Sequence, residues 1–279
     1  MAGKIIKNAI VAIVLSVGCA TYLMVQNTFL QTTKYTIKNA KLPSEFDGYT
    51  IAQISDFHST NSNRLRKSTI EGIKNQKVDM IVITGDFVDE RHDNLSDSLD
   101  FAKELTSIAP TFFILGNHEV YLDNSDEFIT KLKEVGVTVL QNETHIVSLN
   151  GACINLVGIT DPASNKDKKI EENIVQFLED ASYDDSNYTI LLSHRPEVCH
   201  LYENANIDLT ISGHAHGGQV RIPFVGGVIS PGEGFWPKYT EGVHKINDMH
   251  LVISRGIGSS SFPFRINNRP ELVFIELKQ

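Results

Sequence analysis

Short apolar runs recur along the chain and alternate, in its first half, with stretches of helical periodicity. Runs of strand length lie at residues 49–55, 79–84, 111–115, 188–192 and 208–212, and helical patterns lie at residues 65–75, 97–108 and 125–135. β-Branched runs that alternate with helices indicate α/β layers. This part of the chain therefore predicts an α/β fold.

The pattern changes after Gly136, where pairs of strand-like runs replace the helical stretches. Residues 145–149 and 152–157 are separated by Asn150 and Gly151, a pair that suits a type I′ hairpin turn. An antiparallel hairpin next to α/β layers implies either one mixed sheet or two facing sheets.

The amino-terminal segment is apolar and uncharged. Residues 9–25 form an uncharged run of 17 residues preceded by Lys4 and Lys7, at the short end of what crosses a bilayer. We expect residues 1–30 to be an uncleaved, single-pass transmembrane helix, because no A-x-A site precedes a polar stretch. A cleaved signal peptide is the competing interpretation, and lipid modification of Cys19 is a further alternative.

Lysines flank the apolar segment on both sides. Lys4 and Lys7 favour a cytoplasmic amino end and an extracytoplasmic body, although Lys34 and Lys38 reduce the charge bias. We expect residues 31–45 to form a stalk and residues 46–279 to form one domain, because no Pro/Ser-rich linker or repeat interrupts them.

Composition and net charge argue against several classes of function. The chain has 25 Lys and Arg against 34 Asp and Glu, a net charge of -9 and a pI near 5.6, so a nucleic-acid scaffold role is not expected. Residues 1–30 hold two lysines and no acidic residue, so the remaining chain carries -11 and would not adhere to anionic lipid by charge alone. Three cysteines are too few for a disulfide framework. At most Cys153 and Cys199 could pair.

Five of the apolar runs end in polar clusters. These clusters are Asp56-Phe57-His58, Gly85-Asp86, Gly116-Asn117-His118-Glu119, His194, and Gly213-His214-Ala215-His216. Ligands of open α/β sheets bind outside the carboxyl ends of strands, so these distant residues can converge in one crevice. The glycines allow sharp turns that aim the following side chains inward.

The side chains in these clusters suggest metal ligands. The candidates are Asp56, His58, Asp86, Asn117, His194, His214 and His216. Oxygen and nitrogen donors without cysteine suit manganese, iron, zinc or a similar divalent ion. The set is too large for one tetrahedral site. One bridging carboxylate would allow two ions about 3.5–4 Å apart, each with four protein contacts.

The ordered series D-x-H, GDxxD, GNHE, a lone histidine and GHxH, over residues 56–216, resembles the calcineurin-like metallophosphoesterase superfamily. Any one of these motifs alone is more often structural, but five in order favour a two-metal site. GHAHGGQVRIP, SRGIGSSSFPFRINNRPE and the apolar amino end resemble a bacterial membrane-anchored branch. With the strand pattern, the resemblance implies a four-layer sandwich of two mixed β-sheets flanked by helices, with a metallophosphoesterase domain at residues 46–279.

The resemblance also implies roles for individual residues. The implied ligands are Asp56, His58 and His216 for the first metal, Asn117, His194 and His214 for the second, and Asp86 as the bridge. His118 resembles the non-ligand histidine that protonates the leaving oxygen or stabilises the transition state, and Asp89 resembles its orienting partner. Asp89 could instead cap the following segment. We expect Glu119 to support the turn rather than react.

The resemblance and the apolar amino end together imply a membrane-anchored enzyme that holds two divalent ions. Manganese is the first candidate, and iron and zinc are alternatives. It would hydrolyse a phosphodiester, phosphomonoester or pyrophosphate by metal-activated hydroxide, on a lipid-linked or cell-envelope substrate. Two divalent ions, two carboxylates and one hydroxide would leave a charge of about +1, which suits an anionic phosphate. The alternative is a non-catalytic metal-binding scaffold of the same fold.

The remaining motifs are less specific. Candidate phosphate clamps are Arg64, Arg195, Arg221, Arg255 and Arg265, with Arg195 and Arg255 preferred. His92, His145, His200, His244 and His250 are expected to be surface or structural residues. The aromatic clusters at residues 235–237 and 262–264 are expected to pack within loops, with contact to lipid or to a substrate acyl chain as the alternative.

Overall fold

The computed structural model describes residues 2–60, 62–91, 95–202, 205–231, 233–259 and 264–279. Its helices are α1 Ala2–Thr28, α2 Asn63–Gln76, α3 Leu95–Thr106, α4 Asn117–Tyr121, α5 Ser125–Glu134 and α6 Ile170–Ala181. Its strands are β1 Gln31–Lys38, β2 Thr50–Ile54, β3 Met80–Thr84, β4 Thr111–Ile114, β5 Thr138–Val139, β6 Glu143–Leu149, β7 Ala152–Gly158, β8 Thr189–Leu192, β9 Leu209–Ser212, β10 Arg221–Ile222, β11 Gly226–Gly227, β12 Ile229–Ser230, β13 Gly234–Phe235, β14 Gly242–Ile246, β15 Met249–Ile253 and β16 Glu271–Lys278.

The strands form two six-stranded mixed sheets. The first has the order β1-β16-β2-β3-β4-β5, in which only the β16–β2 pair is antiparallel. The second has the order β14-β15-β9-β8-β7-β6, with antiparallel pairs at both edges and parallel pairs between them. This arrangement confirms the predicted pair of mixed sheets.

Alternation along the strands separates the hydrophobic layers. In β3, Met80 and Val82 face the core between the sheets, whereas Ile81 and Ile83 face the cluster that includes buried residues of α2, α3 and α5. On the second sheet, Leu191 packs with residues of α6. Side chains at successive strand positions point to opposite faces, so strands that are apolar at every position cover both faces. The result is the predicted four-layer sandwich.

The Asn150–Gly151 hairpin forms as predicted. Leu149 pairs with Ala152, and the two turn residues have φ values of 51° and 91°. Positive φ at both positions defines a type I′ turn. The pattern did not predict β14, β15 or β16, which complete both sheets through pairings with distant segments. The structure forms no disulfide between Cys153 and Cys199, both of which it describes.

The predicted stalk is wrong. Residues 31–38 are strand β1, which pairs in parallel with β16 from Gln31↔Glu271 to Lys38↔Lys278. Thr33, Tyr35 and Ile37 alternate with exposed residues along this edge strand, and Ile37 reaches the core. Phe46 is fully buried as well. A half-buried edge strand needs only alternate apolar positions, and a weak alternation resembles a polar linker in the sequence.

Helix α1 joins this sheet without an intervening linker. It is long and apolar enough to cross a membrane by length and composition, with a mean hydropathy of 2.0 over an 18-residue window. Its last turns bond to the segment before β16: Gln26 Oε1 accepts from the amide of Asn268, and Asn27 Oδ1 accepts from the amide of Arg265. The carboxyl end of the helix is therefore fixed to the body.

Candidate metal centre

The predicted residues follow the ends of five strands and lie together between the two sheets. Asp56 and His58 follow β2, Asp86 follows β3, Asn117 begins α4 after β4, His194 follows β8, and His214 and His216 follow β9. The predicted aspartate and histidine ligands are buried. The structure thus brings together side chains that lie up to 160 residues apart in sequence, because parallel strands end at the same edge of each sheet and the two sheets pack face to face.

The loops that carry these side chains have unusual backbone geometry. The φ values of Asp56, Asp86 and His214 are 50°, 51° and 64°, in the left-handed region that few non-glycine residues adopt. Gly85, with φ of 86°, makes the turn ahead of Asp86. A Cβ at Gly213 would overlap the Ser55 hydroxyl. Non-glycine residues held at positive φ cluster at functional sites, where the surrounding structure must enforce them.

The first cluster contains Asp56, His58, Asp86 and His216, whose donor atoms all lie within 4.8 Å of one another. The Nε2 atoms of His58 and His216 are 3.1 Å apart, and His216 Nε2 is 3.4 Å from Asp56 Oδ1. His58 Nε2 is 3.9 Å from Asp86 Oδ2. Three elements from both sheets therefore converge on one point.

The second cluster contains Asp86, His194 and His214. His194 Nε2 lies 3.1 Å from Asp86 Oδ2 and 3.1 Å from His214 Nδ1. His194 Nδ1 lies 2.8 Å from the carbonyl oxygen of Thr84, which fixes the ring and leaves Nε2 facing the cluster. Asp86 belongs to both clusters, as a bridging carboxylate would.

The donor geometry fits metal ions. Two nitrogens each about 2.1 Å from one ion lie roughly 3.0–3.4 Å apart at octahedral or tetrahedral angles, and both facing imidazole pairs are 3.1 Å apart. Asn117 Oδ1 is buried and has no hydrogen-bond partner among the described residues. Buried polar atoms normally have partners, so an additional ligand at this position is expected. These residue clusters suggest a dimetal centre.

Burial controls the protonation of three histidines in these clusters. It lowers the pKa of His58 to about 3 and holds those of His214 and His216 well below the usual value. These rings are therefore neutral near pH 7, and the neutral imidazole is the form that binds a metal. Burial also raises the pKa of Asp56 to about 6.

Asp86 and His194 form a tightly coupled pair. Burial opposes charge on both, but their mutual attraction is stronger, so the pKa of His194 rises to about 10 and that of Asp86 falls well below its usual value. A divalent cation between the two side chains would replace the imidazolium proton and would keep the carboxylate charged.

Glu119 supports two site loops at once. Its carboxylate accepts hydrogen bonds from the backbone amides of Asp86 at 2.9 Å, Val88 at 3.0 Å and Gly116 at 2.8 Å. Burial and the nearby Asp86 raise its pKa to about 7. This carboxylate faces backbone amides on both loops, in agreement with the expected role in support of the turn.

His118 lies beside both clusters. Its Nε2 atom is 3.9 Å from Asp86 Oδ2, and its ring meets His58 edge-on at a centroid distance of 4.5 Å. Its backbone amide donates to Asp86 Oδ1 at 2.9 Å. One imidazole edge therefore faces the shared carboxylate, and the main chain of the same residue fixes that carboxylate.

The other edge of His118 meets two acidic residues. Nδ1 is 3.6 Å from Asp89 Oδ1, too long for a hydrogen bond, and is in closer contact with the Glu90 carboxylate. Asp89 instead accepts from Arg91, whose hydrogen bonds lower the pKa of Asp89 against the effect of burial. Sequence reasoning missed Glu90 and Arg91, although both directly follow the GDxxD motif.

A buried arginine supports the Asp56 loop, and sequence reasoning did not assign it this role. Arg265 is fully buried and donates to the carbonyl oxygens of Arg255 and Gly258. The amide of Gly258 in turn donates to the carbonyl of Asp56 at 2.7 Å. Burial lowers the pKa of Arg265 to about 10, so its side chain remains charged near pH 7.

The two preferred candidate phosphate clamps are engaged elsewhere. Arg255 pairs with Glu271 at 3.0 Å and with Glu241 at 3.3 Å. Arg195 donates to Asp161 at 2.7 Å and pairs with Glu197, which lies 3.9 Å from His214. Both guanidinium groups therefore have structural partners in the protein, and each pairs with one buried carboxylate, Asp161 or Glu271, that needs a cation.

Other sequence expectations have mixed outcomes. His145 and His200 are exposed, and His244 and His250 are partly buried, as expected for surface or structural residues. Phe235 and Trp236 are 72% and 60% exposed, which shows that they do not pack within their loop. The expectations for His92, Phe262 and Pro263 lie outside the described residues.

Comparison with known proteins agrees with this site. A family model described as calcineurin-like phosphoesterase matches residues 49–218. The metallophosphoesterase YkuE of Bacillus subtilis is 31% identical over 267 residues, which cover 94% of this chain and 89% of YkuE. The phosphodiesterase YaeI of Escherichia coli is 31% identical over 208 residues, which cover 72% of this chain and 71% of YaeI.

A solved structure shares the fold at low sequence identity. The phosphopantetheinyl hydrolase PptH of Mycobacterium tuberculosis superposes with a TM-score of 0.51 at 12% identity, over 77% of this chain and 90% of PptH. The family match covers more than half of the chain and includes all five motif clusters. The chain therefore belongs to the calcineurin-like phosphoesterase family and is a metal-dependent phosphoester hydrolase.

Proposed function

We propose that this protein is a membrane-anchored phosphoesterase with two divalent ions in the clusters described above. The proposed ligands are Asp56, His58 and His216 for one ion and Asn117, His194 and His214 for the other, with Asp86 shared. The observation that carries the proposal is the membership of one buried carboxylate, Asp86, in both clusters. Manganese is the first candidate for the native metal, with iron and zinc as alternatives.

Two bound divalent ions would supply Lewis acidity, activate water and neutralise charge on a phosphoryl group. The chain's own residues would set the geometry. The main-chain amide of His118 holds one oxygen of Asp86, and Thr84 orients the His194 ring. The neutral rings of His58, His214 and His216 leave lone pairs available to a metal.

His118 is the proposed general acid. Its Nε2 atom faces Asp86, while Glu90 and Asp89 lie on the Nδ1 side. The carboxylates on the Nδ1 side orient the ring, so that Nε2 points toward the shared carboxylate. A proton on Nε2 would pass to the leaving oxygen of the ester.

The relatives and the amino-terminal helix support a choice of substrate class. One relative is named as a phosphodiesterase, which makes a phosphodiester our first candidate, ahead of a phosphomonoester or a pyrophosphate. Helix α1 is long and apolar enough to span a membrane, which supports a lipid-linked or cell-envelope substrate.

Lys4 and Lys7 precede the apolar run and favour an extracytoplasmic catalytic body. A reporter-enzyme fusion at the carboxyl end would test this orientation.

The deciding experiment measures hydrolysis and bound metal together. The full chain, purified in detergent and loaded with manganese, is assayed on chromogenic phosphodiesters and phosphomonoesters. Asp86→Ala is the inactive comparison, and Asp126→Ala, in the first turn of α5, is the matched control. Turnover that Asp86→Ala loses and Asp126→Ala retains would support the proposal. Two bound ions without turnover on any ester would favour the non-catalytic scaffold.

A further inference from the structure

Two consecutive hairpins beside the metal centre present apolar side chains to solvent. The first, β10–β11, has Phe224 fully exposed and Val225 64% exposed at its tip. In the second, β12–β13, the exposed Phe235 pairs with Ile229 at the open end of the hairpin, and the exposed Trp236 follows it. We call Phe224, Val225, Phe235 and Trp236 the apolar rim. Soluble surfaces rarely expose neighbouring large apolar side chains without a partner.

The backbone of the rim strengthens this observation. Phe224 and Trp236 have φ values of 66° and 62°. The left-handed region is unfavourable for an L-residue, and turns that need it usually contain glycine or asparagine. Neither aromatic side chain offsets this cost by burial within the protein. Burial of the two side chains against a partner would offset it.

The rim is joined to the amino-terminal helix. Asn267 Nδ2 donates to the carbonyl oxygen of Arg221, at the base of the first hairpin. The same residue bonds to α1, because the Tyr22 hydroxyl donates to Asn267 Oδ1 at 2.7 Å and accepts from its amide at 3.1 Å. Tyr22 lies six residues before the end of α1, or about 9 Å along the helix axis.

The contact between Asn267 and Tyr22 indicates how deep in a bilayer the apolar rim would lie. Tyr22 lies within the uncharged run at residues 9–25, and tyrosine in such helices favours the headgroup level of a bilayer. The segment of the domain that bonds to Tyr22 therefore also lies at the headgroup level of the bilayer. The tip of the first hairpin extends beyond the Arg221 carbonyl that Asn267 holds.

The rim is also continuous with the metal centre. The amide of Val228, between the hairpins, donates to the carbonyl of Gly218 at 3.1 Å. Gly218 ends the short turn His216–Gly218, which contains a proposed ligand. A Cβ at Gly218 would overlap the backbone of Gly227 in β11. The hairpins therefore pack directly on the ligand loop.

We propose that the apolar rim inserts into the lipid bilayer beside α1, as a second membrane contact that holds the His216 loop at the lipid surface. The inference rests on the proposed anchoring of α1. The partner is a lipid bilayer because the rim continues the side of the body that bonds to the apolar helix. The rest of the chain carries a net charge of -11, so attachment is apolar and does not require anionic lipid.

The single tryptophan of the chain, Trp236, gives a direct test. The full chain is reconstituted into phosphatidylcholine vesicles with either ordinary or brominated acyl chains, and tryptophan emission is compared. A second reporter is Phe224→Trp in a Trp236→Phe background. The matched control is Val175→Trp in that background, because Val175 is 47% exposed on α6. Helix α6 contacts β6, at the sheet edge opposite β14.

Ile13→Trp in the same background reports insertion of α1 itself, since Ile13 lies in the apolar run. We expect brominated lipid to decrease emission from Trp236 and from the indoles at positions 224 and 13, and to leave emission at position 175 unchanged. Quenching at position 13 with none at 236 or 224 would overturn the rim contact and leave the anchor intact. Absence of quenching at position 13 would overturn both.

Discussion

The side-chain amide of Asn268 donates to the main-chain carbonyl of His216 at 2.7 Å and to that of Gln219 at 3.0 Å. The main-chain amide of Asn268 donates to Gln26 Oε1 in α1. One buried asparagine thus connects the carboxyl end of the apolar helix to the loop that carries a proposed metal ligand. The carboxyl end of α1 therefore contacts a residue that supports the proposed metal centre.

Replacement of Asn268 should weaken metal binding without removal of any proposed ligand. Asn268→Ala removes one donor from each of two carbonyls, which then keep only the backbone amides of Gln219 and Ile266. Loss of such supporting contacts typically lowers metal affinity by about 10–100-fold. Isothermal titration of the metal-free full chain with manganese measures this effect. Asn165→Ala, before α6, is the control and should retain normal affinity. Equal affinities for the two variants would refute the connection.

Asp86→Ala should remove both metals and activity together. The side chain belongs to both clusters, so its loss removes one proposed ligand from each ion. Elemental analysis of the purified variant would give the metal content. Normal occupancy by two ions would contradict the assignment of Asp86 as the bridge.

His118→Ala should retain both ions and lose turnover. The side chain is a proposed acid rather than a ligand, and general acid catalysis contributes about 10²–10⁴-fold to rate. We expect kcat to fall by that factor on an ester with a poor leaving group. The decrease should be smaller on nitrophenyl esters, whose leaving oxygen needs less protonation. An unchanged rate on both would move the role to another residue.

The partner of His118 can be identified by comparison of two isosteric variants. Glu90 is in closer contact with Nδ1 than Asp89, which is 3.6 Å away and bonded to Arg91. We therefore expect Glu90→Gln to lower kcat more than Asp89→Asn does. A larger change for Asp89→Asn would restore the partner that the motif implied.

The residues that meet in the two clusters could be selected from the sequence because the signals for them are local. Each cluster directly follows an apolar run. The geometry of parallel strands then brings Asp56 beside Asp86 in the first sheet and His194 beside His214 in the second, and the two sheets face each other. The four layers followed for a similar reason, because strands such as β3 are apolar at successive positions from Met80 to Ile83.

The supporting contacts could not be predicted because they join distant segments. Nothing local to Asn268 indicates that it bonds to His216, 52 residues away, and to Gln26, 242 residues away. Arg265 bonds to the nearby Gly258, but its support of the Asp56 loop depends on the fold that brings Gly258 to Asp56. Strand β1 was missed for the same reason, since its pairing partner β16 is at the opposite end of the sequence. The Glu90 contact depends on side-chain placement within a loop, and residue type alone did not distinguish it from Asp89.

Glu119→Gln should destabilise the protein and disturb both site loops. The carboxylate accepts from three backbone amides, whereas an amide side chain offers one oxygen and turns its NH₂ group toward a donor. A buried donor left without its acceptor costs about 1–3 kcal/mol, so we expect the free energy of unfolding to fall by that amount. Urea denaturation measures it, with Glu134→Gln at the exposed end of α5 as control. Similar midpoints for both variants would show that Glu119 is dispensable.

Removal of metal should lower the stability of the folded chain. The two clusters bury Asp56, Asp86 and several imidazoles in close contact, an arrangement that is unfavourable without a cation to join the facing donors. A ligand that binds only the folded state at 100 times its Kd adds about 2.7 kcal/mol per site. We therefore expect chelator-treated protein to unfold at a lower Tm, with recovery on addition of manganese. The variant Asp86→Ala should begin at the lower Tm and respond to neither treatment. A chelator-induced decrease of equal size in that variant would mean that the stabilising ion binds somewhere other than this centre.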